Sequence, residues 1–169
     1  MTVYVASPLG FSEAGRAFSR RYLHPALRRA GHRVIDPWAL TPASTLARAR
    51  RQPDGRARRA ALALVNARIA RTNQDAIDRA EAVVAVLDGV DVDSGTAAEI
   101  GYAFARGKRI VGYRGDFRLA GDNEGAVVNL QVEYFIRASG GTIVTRLADL
   151  PRALRRRPSA GASASRRTR

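Results

Sequence analysis

Apolar positions fall in short continuous runs separated by stretches where they recur every three or four residues, and the two patterns alternate along the chain. Val3-Tyr4-Val5-Ala6, ended by Ser7-Pro8-Leu9-Gly10, reads as a buried parallel strand running into a loop. Phe11, Phe18, Tyr22 and Leu27 then recur at near-helical spacing from Ser12 to Ala30, with Gly31 placed as a C-cap. Val34-Ile35-Asp36-Pro37 predicts a second short strand. Residues 56–81 predict a long helix, with Ala61, Leu62, Leu64, Val65, Ile69 and Ile77 as its apolar set. The run Ala82 to Leu87 is apolar on both faces and predicts a central strand. Beyond a turn at Asp88-Gly89, helices are expected over 96–106, 127–138 and 147–156, and strands over 109–113 and 142–144.

Strands alternating with helices require right-handed crossovers and a parallel sheet covered on both sides. The fold class is therefore α/β: a flavodoxin-like, doubly wound, five-stranded parallel sheet of order 2-1-3-4-5 with helices on both faces. Ligands in such sheets bind where the chain reverses direction, at the carboxyl ends of strands one and three. Two segments are singled out, Ala6 to Gly10 and Asp88 to Glu99. The 169 residues are read as one domain over 1–157 and a basic, disordered tail over 158–169, rich in Ser, Ala, Gly and Arg.

Composition narrows the chemistry. With no cysteine and only His24 and His32, thiol nucleophiles, disulfides, Cys-rich zinc sites and iron–sulfur clusters are excluded, and no metal or cofactor is expected. No apolar run approaches the roughly 20 residues a bilayer span needs, and the first residues carry no basic leader, so no membrane association and a cytoplasmic address are expected. The net charge of +14 is uneven: Arg152 to Arg169 holds seven arginines and no acid, half of the excess. A second cluster, Arg48, Arg50, Arg51, Arg56, Arg58 and Arg59, surrounds the turn signal Gln52-Pro53-Asp54-Gly55. Both are read as solvated segments, with nucleic acid not the expected partner.

Four of the 15 acids lie in the twelve residues Asp88 to Glu99, which makes this stretch the site candidate in an otherwise basic chain. Glu99 is expected in the first turn of a helix, where unpaired backbone N–H groups favour its anion, suited to a nucleophile or electrostatic stabiliser. Thr96-x-x-Glu99 equally reads as a capping box, in which both side chains only satisfy N-terminal amides. Asp91 and Asp93 lack the rest of a calcium loop. A second reading of the carboxylates divides their duty, with Glu99 attacking an anomeric carbon and Asp93 managing the leaving-group proton. Ser94 and Gly95 offer polar and backbone contacts, and also suit the turn before a helix.

The stretch Asn73 to Asp116, and above all Asp93-Ser-Gly-Thr-x-x-Glu99-Ile-Gly-Tyr-Ala followed by Gly107-Lys108 and a strand, resembles the core of the nucleoside 2-deoxyribosyltransferase family. Tyr4-Val5-Ala6-Ser7-Pro8 resembles the family's opening strand, and Val128-Asn129-Leu130 its later Asn-containing helix. The resemblance implies a double displacement that exchanges the base of a 2′-deoxynucleoside, with a deoxynucleoside and a free nucleobase as partners. Glu99 would form the covalent intermediate, Tyr4 would hold and polarise it, and Asp93 would assist protonation of the base. Ser7, Asn73, Asp75, Ser94, Gly95 and Asn129 would bind substrate. Asn129 would do so from a neighbouring copy, in a homo-oligomer with shared sites. A related outcome is hydrolysis of nucleoside 5′-monophosphates, and a third is a non-catalytic nucleotide- or nucleic-acid-binding domain of the same fold.

Two departures stand out. Where the family carries an aspartate eight residues ahead of the acid that opens strand three, this chain has Asn73, with Asp75 two residues further on. The Arg48 to Arg59 region has no counterpart, and reads as a lid or a 5′-phosphate contact. Trp38 is read as a packing residue or a wall against the base, both histidines as surface or packing residues, and Glu133 as a solvated ion pair or sugar contact. Tyr113, Arg114, Asp116 and Arg118 are expected at the same sheet end.

Overall fold

The structure, a computed structural model, describes residues 1–53 and 55–155. Five strands form one sheet: β1 Thr2–Ala6, β2 Arg33–Ile35, β3 Ala82–Val86, β4 Arg109–Tyr113 and β5 Ile143–Val144. Their order is β2-β1-β3-β4-β5 and every pairing is parallel, as expected from the alternation of the two periodicities.

Strand parity sorts the core into two layers. Tyr4, Ala6, Val83, Ala85 and Ile110 point to one face, against α5 (Arg56–Arg79), α6 (Ser94–Ala105) and α7 (Leu130–Ala138). Val3, Val5, Val84, Val86 and Val111 point to the other, against α2 (His24–Arg29) and α8 (Leu150–Arg155). β3, paired on both sides, is buried along its whole length.

The helix expected from Ser12 to Ala30 is broken in character. A 3-10 turn over Pro8–Phe11 precedes α1 (Glu13–Phe18), and a π-helical turn at Ser19–Leu23 leads into α2. Pro25 has no N–H for the preceding turn, and the wider π turn sits immediately before it. The extra residue per turn also rotates the apolar face. Leu23 and Leu27 are fully buried, whereas Tyr22, expected on the core face, is 56% exposed; Phe11, also expected there, ends the 3-10 turn upstream of the helix and is 73% exposed. Two short helices, α3 (Pro37–Leu40) and α4 (Ala43–Arg50), fill the stretch before α5 that the sequence pattern left unassigned. The turn before α5 turns on Gly55 at φ +83°, and Arg48, Arg50, Arg51, Arg56 and Arg59 are exposed on the two helix ends beside it. α7 starts at Leu130, three residues later than expected, because Asn129 caps it. The tail over 158–169 lies outside the described residues.

No helix among the described residues is long and apolar enough to cross a membrane, and no group of three or more His, Asp or Glu among them is placed to hold a metal ion.

Candidate active site

The candidate site lies at the carboxyl ends of β1 and β3, where the connections leave for opposite faces of the sheet. Tyr4, near the middle of β1, is fully buried and faces the α5–α6 side. Its hydroxyl donates to Glu99 Oε1 at 2.6 Å. From α5, Asn73 Nδ2 points at the same oxygen across 3.5 Å. Glu99 Oε2 accepts no hydrogen bond among the described residues, which leaves it as the free oxygen of the carboxyl group.

Helix α6 settles the two readings of Thr96-x-x-Glu99. Asp93 is the N-cap: its Oδ2 accepts the Thr96 N–H at 2.9 Å and the Thr96 hydroxyl at 3.1 Å. Helix geometry therefore begins at Ser94, and Glu99 falls in the second turn, not the first, with its side chain on Tyr4 and not on a backbone amide. The expected help from the helix N-terminus is correspondingly weak, because that effect fades within the first turn. Burial pushes the Glu99 carboxyl above its ordinary range. The Tyr4 hydrogen bond pulls it down, the Asp93 charge pushes it up, and the Asn73 amide pulls it down. Burial, and then the Glu99 charge, drive the Tyr4 hydroxyl far above its usual range, so Tyr4 is a permanent donor.

A cleft of about 480 Å³ opens between α5 and α6, lined by Asn73, Gln74, Ile77, Ala98, Glu99 and Tyr102. Its far rim is tied together: Gln74 Nε2 donates to the Tyr102 hydroxyl, which donates to Asp78 Oδ2 at 2.9 Å, and Arg106 Nε meets Asp78 Oδ1 at 2.7 Å. Neither Gln74 nor Asp78 carries a signal in a single sequence, whereas Tyr102 stands inside the Gly-Tyr-Ala motif.

Of the residues expected in the site, Tyr4, Asn73 and Glu99 come together, whereas Asp93 caps α6, does not line the cleft and acts on Glu99 through its charge. Ser94 and Gly95 open α6 at its exposed end, and a Cβ on Gly95 would come within 3.2 Å of Asp93 Oδ2. Ser7 caps the turn after β1 by accepting the Leu9 N–H at 3.0 Å, and its carbonyl accepts Trp38 Nε1 at 3.0 Å. Asp75 is exposed on α5 and does not line the cleft, since two residues along a helix turn the side chain by about 200°. Asn129 spends its Oδ1 on the Gln131 and Val132 amides at the head of α7, outside the cleft lining.

Among the flanking residues, Glu133 departs from expectation. Glu133 is buried rather than solvated, accepting the Val127 N–H at 2.8 Å while pairing with Arg137. Both histidines are buried, and His24 Nε2 lies 3.0 Å from Ser19 Oγ. Arg114 is 1% exposed and donates to the carbonyls of Leu87, Gly89 and Arg118, which stitches the loop after β4 to the loop leading to Asp93. Trp38 packs edge-on against Phe11 at 4.6 Å and covers Gly10, whose missing side chain makes room for the indole.

Fold and site together define a doubly wound α/β protein with a shielded, tyrosine-held glutamate at its topological switch point. Residues 3–131 match the nucleoside 2-deoxyribosyltransferase family, and the chain belongs to that family. No curated protein matches it. Among solved structures, it is similar to a conserved protein from Enterococcus faecalis V583, at 24% identity over 91% of this chain and 96% of that one, with a TM-score of 0.63. It is similar to the 2-deoxyribosyltransferase of Bacillus psychrosaccharolyticus at 19% identity over 89% and 90% of the two chains, TM-score 0.59. It is also similar to the CMP N-glycosidase of Clostridium botulinum at 18% identity over 91% and 98%, TM-score 0.52. At these identities the structural likeness establishes the fold alone.

Proposed function

We propose that the protein breaks the N-glycosidic bond of a nucleoside substrate by double displacement and passes the pentose, 2-deoxyribose in the family's own reaction, to a second nucleobase. The observation that carries this reading is the Glu99 carboxyl group, held through one oxygen by Tyr4 and Asn73 and free at the other, on the wall of a cleft large enough for a nucleoside.

Glu99 Oε2 attacks C1′ from the face opposite the base. The C1′–N bond breaks and its electron pair leaves with the base, whose nitrogen takes up a proton relayed from solvent by Asp93. Asp93 has its Oδ1 outside the helix cap, which suits it to this task. Tyr4 carries no proton to the substrate; its hydroxyl fixes Oε1 and spreads the charge of the attacking group. In the second half, a nitrogen of the incoming base attacks C1′ of the glycosyl ester, Glu99 leaves as carboxylate, and the new base loses its proton. A second copy of the chain, bringing its Asn129 to the sugar, completes the proposed site.

The test is chromatographic. Purified protein is incubated with thymidine or deoxyinosine, with and without adenine, beside a deoxynucleoside 5′-monophosphate and a Glu99→Ala variant. A new deoxynucleoside that forms only with added base, and drops by at least about 10³-fold in Glu99→Ala, supports transfer. Free base released chiefly from the monophosphate without an acceptor assigns the second step to water instead. Absence of turnover on every substrate overturns the catalytic reading.

A further inference from the structure

The amide of Asn73 has two ends, and only one has a partner. Nδ2 points at Glu99 Oε1 across 3.5 Å, toward the oxygen that already accepts Tyr4. Oδ1 is buried and makes no hydrogen bond among the described residues. The amide cannot be turned over to relieve this, because Oδ1 would then face a carboxylate oxygen. A buried side-chain oxygen with no donor is uncommon in a folded protein, and in the wall of a cleft it marks a place where a ligand brings the donor.

The stereochemistry of displacement says which donor that is, on the reading of Glu99 as the nucleophile. An oxygen attacking C1′ in line approaches from the sugar face opposite the base. On a β-nucleoside that face carries the 2′-hydroxyl of a ribose, attached one carbon from C1′. Donors on the base lie on the other side of the ring, away from Glu99. The 3′-hydroxyl, common to ribose and deoxyribose, is one carbon further from the reacting centre.

We propose that Asn73 Oδ1 accepts a hydrogen bond from the substrate 2′-hydroxyl, so that this site takes ribosyl N-glycosides at least as well as their 2′-deoxyribosyl counterparts. Asn73 lines the cleft but Oδ1 itself is buried, so substrate entry turns the amide about its soft terminal torsion to present the oxygen to the hydroxyl. A site built to receive a hydroxyl disfavours the analogue lacking it, because its own polar group is then left unpaired. The substrate class widens accordingly from deoxynucleosides to ribonucleosides and ribonucleotides.

The experiment compares kcat/KM for cytidine, adenosine and their 5′-monophosphates with the four matched 2′-deoxy compounds. Wild type, Asn73→Ala, Asn73→Asp and Glu99→Gln are assayed by base release with and without an acceptor base. Circular dichroism and the fluorescence of Trp38 establish that each variant is folded. Expected is a ribose-to-deoxyribose ratio of one or more in wild type, lowered by at least about tenfold in Asn73→Ala. Asn73→Asp, which keeps an acceptor oxygen, holds the ratio within about threefold of wild type. A merely structural role would move both sugars together. A wild-type preference for the deoxy compounds, or a ratio that Asn73→Ala leaves in place, overturns the proposal while Glu99 chemistry stands. Cleavage of nothing, or cleavage that Glu99→Gln leaves intact, removes the Glu99 reading and this one with it.

Discussion

The Tyr4 hydroxyl and Glu99 Oε1, 95 residues apart in the chain, meet at 2.6 Å across the switch point of the sheet. β1 and β3 are adjacent and in register, with Tyr4 opposite Val83, so the strand that carries the tyrosine runs beside the one that launches the glutamate's helix. Removing the hydroxyl should therefore act on the carboxylate and not on the core. Tyr4→Phe is expected to lose about 1.5–3 kcal/mol of charge-assisted hydrogen bonding, or roughly 10–100-fold in kcat/KM. Steady-state kinetics at saturating and limiting substrate check this.

Glu99 must be ionised to attack, and its carboxyl is pushed above the ordinary glutamate range. The acid limb of the pH–rate profile of kcat/KM is thus expected above the usual value of about 4.3. Tyr4→Phe and Asn73→Ala, which each remove a hydrogen bond to the charged form, move that limb upward. Asp93→Asn, which removes a like charge, moves it downward.

The same shift makes a stability prediction. A carboxyl whose pKa is raised on folding gives its full stabilisation below the unfolded-state value and loses it as pH rises through the folded-state value. Glu99→Gln does not titrate, so its melting temperature relative to wild type is expected to be higher at pH 8 than at pH 4. Paired thermal melts across this range decide it, and a difference that runs the other way would show that Glu99 is not strained by its burial.

Asp93 carries two roles that different substitutions separate. Serine is a competent N-cap, so Asp93→Ser is expected to keep stability within a few tenths of a kcal/mol while losing the proposed proton relay. Asp93→Ala loses both, with about 1 kcal/mol of stability gone. Urea denaturation measures the cap and turnover measures the relay.

At Gly10 a Cβ would sit 1.9 Å from the Trp38 ring. Gly10→Ala should lift the indole off the turn, break its hydrogen bond to the Ser7 carbonyl and cost about 1–3 kcal/mol. Because Trp38 is the only tryptophan, its emission spectrum reports the displacement directly.

Much of this protein was legible in the order of its residues. The alternation of short apolar runs and period 3.6, with β3 apolar on both faces, predicts five parallel strands covered by helices on both sides, and the flavodoxin-like reading of that pattern carries the 2-1-3-4-5 order. That order alone places the segments after β1 and β3 side by side, and the acids clustered after β3 point to Glu99 and Asp93. The tertiary structure decided what depends on distance and on rotation about a helix. It made Asp93 the cap and released Glu99 to Tyr4, two outcomes that Thr96-x-x-Glu99 permits equally. It turned Asn73 inward and Asp75 outward, and it rotated Leu23 into the core through a π turn at a proline. Arg114 was legible as a residue of this sheet end but its partners were not, because the backbone carbonyls it bonds have no identity in a sequence. Local pattern determines which elements form and in what order they pack, whereas the partner of each buried polar atom is set only when distant segments close around it.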